Sequence, residues 1–264
     1  MGEIDFGDLF GNDSEGAELQ GENLVPEGFI QETAPTHEVT TDDMNLFFLL
    51  DTSGSMTYDG RINQLNYAMP EALVAAKEAA LEKEANLRVR IIQFSSSADY
   101  IIGDVNNGVS IDEAINSWKD LDCEGGTDTG GAIDKVLEAM HTYILGTRAY
   151  HPVVILITDG ESNEPERTIR KSEELAMALS GGNPEKRDKV WRFAIGVKDY
   201  NEDELVAFAT RGKIRDEWGN EKEDEPFVFK IDDVNRIAEV LKAVTKSSLL
   251  SNTGADDGGA VIDI

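Results

Sequence analysis

Short apolar runs, separated by longer amphipathic stretches, constrain the fold of this chain more than any other feature. The runs cover residues 46–50, 87–94, 153–158, 190–197 and 227–231. Each is too short for a helix that stands alone and is typical of a strand buried on both faces. Helical patterns lie between them, at 61–85, 129–145, 165–180, 201–209 and 233–246. This alternation predicts an α/β fold, a doubly wound and mostly parallel sheet with helices on both faces.

Two details refine this prediction. Residues 100–105 form a more polar run that contains Gly103 and is followed by Asn and Gly residues typical of a turn, which indicates a strand at or near an edge of the sheet. Pro70 lies within the first helical pattern, where proline removes a backbone hydrogen bond and clashes with the preceding turn. We therefore expect a break or kink near Met69.

The two ends of the chain differ from the middle in composition. Residues 1–42 contain 11 acidic residues and no Lys or Arg, with no sustained apolar period. Such a segment cannot build its own core, so residues 1–43 are predicted to be an acidic arm that is either solvated or wrapped onto a partner. Residues 247–264 return to Ser, Asn, Gly and Asp and are predicted to be a flexible tail. One folded domain, 44–246, lies between them.

Charge and cysteine content exclude several classes of function. The formal net charge of −28 opposes a phosphate backbone, so nucleic acid is not expected as a partner. The apolar runs are far shorter than the ~20 residues that cross a bilayer, so no membrane partner is expected either. The first basic residue is Arg61, which leaves no basic leader at the N-terminus, and the single Cys123 allows no intrachain disulfide. These features predict a cytoplasmic protein.

Polar oxygen-bearing side chains follow two of the predicted strands. Asp51, Ser53 and Ser55 come directly after the first run, and Asp159 comes after the run at 153–158. A glycine-rich loop around Thr127 opens a helix between them. In a doubly wound sheet, ligands bind outside the carboxyl ends of the strands, where these groups are expected to meet. Carboxylates and hydroxyls are hard donors that suit magnesium, manganese or calcium rather than zinc or copper.

The spacing of these residues resembles the metal-ion-dependent adhesion site of von Willebrand factor A (VWA) domains. The shared pattern is Asp51-x-Ser53-x-Ser55, a later Gly-Gly-Thr127, and Asp159 between a threonine and a glycine. The resemblance covers roughly residues 44–246. It implies that the three hydroxyls and the two carboxylates hold one divalent cation, most naturally Mg²⁺, the carboxylates binding directly or through water. It also implies a binding module rather than an enzyme, in which an acidic residue of a partner protein completes the coordination.

Among VWA proteins, the acidic arm and the single cysteine resemble the TerY-like intracellular prokaryotic proteins of tellurite-resistance and stress or conflict systems. This resemblance implies that the partner is another protein, such as a kinase, phosphatase or ATPase subunit, in a prokaryotic stress-response or conflict system.

Two other functions remain open from the sequence. A metal-dependent phosphohydrolase of the haloacid-dehalogenase type would use Asp51 as its nucleophile, but such enzymes need a second acid two residues later, where Ser53 stands. Alternatively, the chain is a structural subunit whose metal site has no function.

The sequence also suggests roles for several residues near the candidate ligands. Asp128 and Glu161 either accept hydrogen bonds from the groups around the metal or are simply solvated. Gly54 and Gly126 are expected to meet backbone requirements, because no lysine follows in the spacing of a phosphate-binding loop. The acidic neighbours of Cys123 are expected to raise its pKa and make a reactive thiolate unlikely to form.

Overall fold

The structure is a computed structural model that describes residues 43–141, 150–179, 190–215, 220–252 and 261–263. The predicted acidic arm, apart from Asp43, lies outside these residues.

A mixed sheet forms the centre of the domain. The strands are β1 (Asp43–Asp51), β2 (Asn86–Phe94), β3 (Ala98–Ile102), β4 (Val109–Ser110), β5 (Val153–Thr158), β6 (Trp191–Val197), β7 (Arg211–Arg215), β8 (Glu221–Pro226), β9 (Val228–Ile231) and β10 (Val261–Asp263). Seven of them form the main sheet in the order β3-β2-β1-β5-β6-β9, with β4 also paired to β2. The five strands from β2 to β9 in this order are mutually parallel, whereas β3 and β4 run antiparallel to β2. The predicted architecture is confirmed.

Strand β1 shows why the sheet is covered on both faces. Its apolar residues are fully buried, and they alternate between two clusters because successive side chains of a strand point to opposite faces. Leu46, Phe48 and Leu50 belong to one cluster, and Phe47 and Leu49 belong to the other. Full burial of each such side chain stabilises the fold by about 1.5–3 kcal/mol. The apolar run without polar alternation thus fixes β1 as a central strand.

In the part of the chain that the structure describes, six α-helices cover the two faces. They are α1 (Arg61–Glu82), α2 (Ile111–Ser117), α3 (Thr129–Met140), α4 (Pro165–Met177), α5 (Glu202–Phe208) and α6 (Ile237–Leu250). Helices α1, α2 and α6 contribute buried side chains to the first cluster, and α3, α4 and α5 contribute to the second.

The predicted break near Met69 is wrong, because α1 runs from Arg61 to Glu82 with Pro70 inside it. Pro70 is exposed, while Met69 and Leu73 beside it are fully buried in the core. Packing along the whole buried face therefore outweighs the local cost of one proline.

The predicted strand at 100–105 is observed slightly earlier, as β3, and it lies at an edge of the sheet as expected. Beyond it, the structure has a second, three-stranded sheet in the order β10-β7-β8 that the sequence did not predict. Ion pairs join β7 to β8: Arg211 with Asp224, Lys213 with Glu223, and Arg215 with Glu221. Within the segment predicted as a tail, α6 continues to Leu250 and β10 pairs in parallel with β7.

Over the described ranges, no helix is both long and apolar enough to cross a membrane.

Candidate metal centre

The candidate ligands meet at the carboxyl edge of the central strands. Asp51 is the last residue of β1, and Asp159 directly follows β5. The two strands are adjacent and parallel, with Leu50 paired to Ile157, so their ends reach the same point of the sheet. Asp51 and Asp159 thus lie at the same edge of the sheet, where the sequence predicts that the candidate ligands meet.

A chain of hydrogen bonds joins four of the five predicted ligands. One oxygen of Asp51 accepts from the backbone N–H of Ser53 at 2.8 Å. The Oγ atoms of Ser53 and Ser55 are 3.0 Å apart, and Ser55 Oγ donates to Asp159 Oδ1 at 2.7 Å. The Thr158 hydroxyl, which sequence reasoning did not single out, donates to the other oxygen of Asp51 at 2.5 Å. These side chains therefore form one compact group of oxygen atoms.

The loop that carries Thr127 is fixed against this group by its backbone. Gly54 N–H donates to the carbonyl of Gly125 at 3.1 Å, and Asn163 N–H donates to the carbonyl of Thr127 at 2.8 Å. Gly125 has a φ of +77°, and a Cβ atom there would lie 2.5 Å from Ser96 Oγ. Thr127 itself is only 7% exposed. The loop thus brings the fifth candidate ligand to the same edge, and its glycine meets a backbone requirement.

Burial dominates the electrostatics of the centre. Asp51 is fully buried and Asp159 is 1% exposed. Burial raises the pKa of Asp51 from 3.8 to about 6, against the opposing hydrogen bonds from Thr158 and Ser53, and the nearby charge of Asp159 raises it further. A bound cation would offset the cost of keeping these carboxylates charged away from water.

The donor set fits a hard divalent cation. It combines two buried carboxylates with three hydroxyls, all of them oxygen donors. Among the described residues, no group of three or more His, Cys, Asp or Glu side chains is placed to hold a metal. The hydroxyls of Ser53, Ser55 and Thr127 are therefore needed to complete any coordination here, and they add no negative charge.

Arg61, at the start of α1, is a member of the centre that sequence reasoning missed. Its Nη1 donates to Asp159 Oδ2 at 2.5 Å, and its Nη2 donates to Asp199 Oδ2 at 2.8 Å. The Arg61 side chain is 4% exposed, whereas that of Asp199 is 82% exposed. The guanidinium thus links a candidate ligand to the loop that follows β6. One signal could have identified it, since Arg61 is the first basic residue after a long acidic stretch and follows Asp51 by only ten positions.

A second ion pair runs beside the first. Lys198 Nζ donates to Asp59 Oδ2 at 2.6 Å. Both residues have left-handed backbone conformations, with φ of 53° at Asp59 and 59° at Lys198, and Gly60 at φ 72° follows Asp59. Non-glycine residues rarely adopt this conformation, so the two segments hold an unfavourable geometry where they meet.

The remaining residues singled out from the sequence lie around the centre. Asp128 caps α3 by accepting from Gly131 N–H at 2.9 Å, and it pairs with Arg167 at 2.7 Å, so its contacts are with α3 and α4. Glu161 is exposed. The pKa of Cys123 is raised to about 11, as predicted in direction, but burial is the leading cause, followed by the charges of Asp159, Asp51 and Asp122.

Solved structures with the same fold come from several sources. A von Willebrand factor type A protein from Catenulispora acidiphila superposes with a TM-score of 0.57 at 16% identity, covering 79% of this chain and 43% of that one. Proximal thread matrix protein 1 from the mussel byssus, with a zinc-occupied MIDAS motif, gives 0.51 at 18%, covering 78% and 46%. Manganese-loaded TRAP protein of Plasmodium vivax gives 0.52 at 19%, covering 80% and 75%. The chain spans less than half the length of the first two proteins, and at these identities the likeness concerns the fold.

Comparison of the sequence with curated proteins finds no match. A family model described as von Willebrand factor type A domain matches residues 45–243, which is most of the chain and all of the main sheet except the first two residues of β1. VWA domains are modules that bind other proteins through a metal site and are generally not enzymes. The sheet order, the helices on both faces and the match over 45–243 agree, and the chain belongs to the von Willebrand factor type A domain family.

Proposed function

We propose that this domain binds one divalent cation through Asp51, Ser53, Ser55, Thr127 and Asp159, and that the cation in turn binds an acidic residue of a partner protein. The observation that carries this proposal is the continuous hydrogen-bonded group of oxygen atoms around the buried Asp51 and Asp159, at the ends of β1 and β5. Of the two buried carboxylates, Asp159 already pairs with Arg61, and a bound cation would supply the compensating charge for Asp51.

Magnesium is the proposed cation, with manganese or calcium as alternatives. Hard oxygen donors favour these ions, and magnesium in particular keeps waters or takes oxygens from outside the protein. Two structures with this fold, the mussel byssus protein and the Plasmodium vivax protein, hold zinc and manganese respectively, which supports a divalent ion at this type of site. When bound, the ion supplies positive charge that attracts a carboxylate. The two carboxylates formally balance a divalent ion, but Asp159 also pairs with Arg61, so the positive charge at the centre is only partly neutralised.

The proposed partner is a protein such as a kinase, phosphatase or ATPase subunit, in a prokaryotic stress-response or conflict system of the TerY-like kind. The net charge of −28 disfavours nucleic acid, and the single cysteine is in keeping with a reducing compartment such as the cytoplasm. The acidic arm 1–43 is proposed as a second contact with the partner.

A phosphohydrolase is less well supported by the site. Asp51 as a nucleophile would need an acid two residues later, and that position holds Ser53, whose hydroxyl lies 3.0 Å from that of Ser55. Both oxygens of Asp51 also accept hydrogen bonds, from Ser53 N–H and from Thr158. A purely structural role would not require five intact oxygen ligands around buried acids.

The proposal is tested by affinity capture from a native lysate. Wild type and the double variant Asp51→Ala with Ser53→Ala are compared, each with Mg²⁺ and with EDTA, after circular dichroism has shown that the variant is folded. A matched control, Asp112→Ala with Ser117→Ala, makes the same chemical changes on the exposed surface of α2. We expect a partner that is captured by wild type and by the control in Mg²⁺ only, and by the double variant in neither condition.

Partners that are captured equally in Mg²⁺ and EDTA would refute metal-bridged binding. Deletion of residues 1–42 tests the acidic arm separately, because the metal ligands remain. Capture that is unchanged by the deletion would refute a role for the arm and leave the metal centre unaffected.

A further inference from the structure

Arg61 is a buried cation placed between two carboxylates of different exposure. Its guanidinium bonds the buried Asp159 through Nη1 and the exposed Asp199 through Nη2, at 2.5 and 2.8 Å. Its Nε atom is buried and has no hydrogen-bond partner among the described residues. The two carboxylates therefore hold the guanidinium in place.

This arrangement occupies both oxygens of Asp159. Oδ1 accepts from Ser55 and Oδ2 accepts from Arg61, so one charge of the candidate ligand set is already matched by a positive group. A divalent cation that binds Asp159 is therefore repelled by the positive charge of Arg61, which bonds the same carboxylate. Because the site is buried, water screens this repulsion poorly.

We propose that Arg61 is a positioning residue that lowers the affinity of the centre for a bare cation, so that the negative charge brought by an acidic ligand contributes more to complete binding. This inference rests on the proposed function. Arg61 holds Asp159 by one oxygen and cancels part of its charge, and Asp199 in turn cancels part of the charge of Arg61. Cation affinity is thus set by the balance of three side chains rather than by the ligands alone.

The loop after β6 is joined to this balance by two contacts. Asp199 bonds Arg61, and its neighbour Lys198 bonds Asp59, two residues before Arg61. Both ends of the Lys198 pair have strained left-handed backbones, which are retained only where the surroundings fix them. Since Asp199 is mostly exposed, a change of its charge alters the centre without touching a candidate ligand.

The test uses the purified chain and Mn²⁺ alone, with free Mn²⁺ followed by electron paramagnetic resonance. The Arg61→Gln variant removes the charge, and we expect it to bind Mn²⁺ at least tenfold more tightly than wild type. Arg61→Lys keeps the charge and should stay within about threefold of wild type. Asp199→Asn leaves Arg61 less neutralised and should bind Mn²⁺ at least threefold more weakly. The three variants should therefore bind Mn²⁺ more tightly than, about as tightly as, and more weakly than wild type, respectively.

Arg88→Gln serves as the matched control, because Arg88 is a part-exposed arginine paired with Asp43 near the amino end of β2. Arg88 lies about 20 Å along β2 from the carboxyl edge of the sheet. The Arg88→Gln variant should therefore bind Mn²⁺ as tightly as wild type. A residue that only held Asp159 in place would give the opposite result, since Arg61→Gln would then weaken Mn²⁺ binding.

Each variant is checked by circular dichroism and thermal unfolding before titration. Equal or weaker binding by folded Arg61→Gln overturns the inference. If Arg61→Gln does not fold, the Asp199→Asn variant becomes the test. Equal or tighter Mn²⁺ binding by Asp199→Asn than by wild type then overturns the inference. If wild type binds Mn²⁺ but the variants do not change its affinity as expected, the role of Arg61 is refuted and the proposed metal centre is not. Absence of Mn²⁺ binding in wild type and in Arg61→Gln alike overturns the metal centre itself.

Discussion

Replacement of Asp51 by asparagine should stabilise the metal-free protein while destroying its cation site. Burial raises the pKa of Asp51 from 3.8 to about 6, so the folded state binds this proton more tightly than the unfolded state. The favourable contribution of the protonated form is complete below pH 3.8 and is lost as the pH rises through about 6. Above that pH, the folded metal-free protein carries the full cost of a buried carboxylate.

The expected gain in stability follows from the change in the pKa of Asp51. A change from 3.8 to about 6 corresponds to about 3 kcal/mol at pH 8, since each pKa unit is worth about 1.4 kcal/mol. Asparagine has no charge, and its carbonyl can still accept from Ser53 N–H. Its amide group faces Thr158, whose hydroxyl must turn to accept, and this costs about 1 kcal/mol. We expect the Asp51→Asn variant to be more stable than wild type by about 2 kcal/mol.

The assay is urea unfolding in EDTA, at pH 8 and at pH 5. The advantage of the variant should shrink by roughly 1.5 kcal/mol at pH 5, because Asp51 of folded wild type is then mostly protonated. Asp112→Asn removes an exposed carboxylate that pairs with Lys77, and this control should differ from wild type by about 0.5 kcal/mol or less. In saturating Mg²⁺ the order should reverse, because only wild type gains binding energy.

Two results would contradict this reasoning. The first is a variant that is less stable than wild type at pH 8 in EDTA. The second is a stability difference that stays the same between pH 8 and pH 5, since the whole effect is assigned to the proton on Asp51.

Three further outcomes are expected. Thr158→Val removes a donor to Asp51 and should lower the free energy of unfolding in urea by about 1–3 kcal/mol; no change would mean that this hydrogen bond is replaced. Gly125→Ala places a methyl group 2.5 Å from Ser96 Oγ at a φ of +77° and should cost about 1–2 kcal/mol in the same assay, with weaker Mn²⁺ binding. Cys123, with its pKa raised from 9.0 to about 11, should react with iodoacetamide at pH 8 about a hundredfold more slowly in the folded protein than in urea; equal rates would show that its surroundings do not suppress the thiolate.

The sequence was sufficient for every strand of the main sheet except the two-residue β4, because the signal of a buried strand is local. The run 46–50 contains no polar residue, and a strand of this composition is stable only between two covered faces. The candidate ligands could be found for a related reason. Parallel strands end at one edge, so Asp51 and Asp159 could be placed together from the ends of two runs.

Features that depend on contacts between distant segments could not be predicted. Pro70 indicated a break that the packing of α1 on the core prevents. Strands β7 and β8 carry few apolar residues and are joined by ion pairs such as Lys213 with Glu223, so they lack the periodicity that marks a strand. Arg61 joins the centre only through Asp159 and Asp199, which follow it by 98 and 138 positions.

From the central place of β1 we also predict the order in which the domain assembles. Strand β2 follows β1 after a single helix, but β5 reaches β1 only by closing a far longer loop, since Thr158 bonds Asp51 across 107 positions. Contacts of such high sequence separation form late and slow the folding of a chain. Ser55 and Asp159 come together in the same step, so the unfolded chain offers no preformed site for an ion. A cation should therefore leave the folding rate unchanged and act by slowing unfolding.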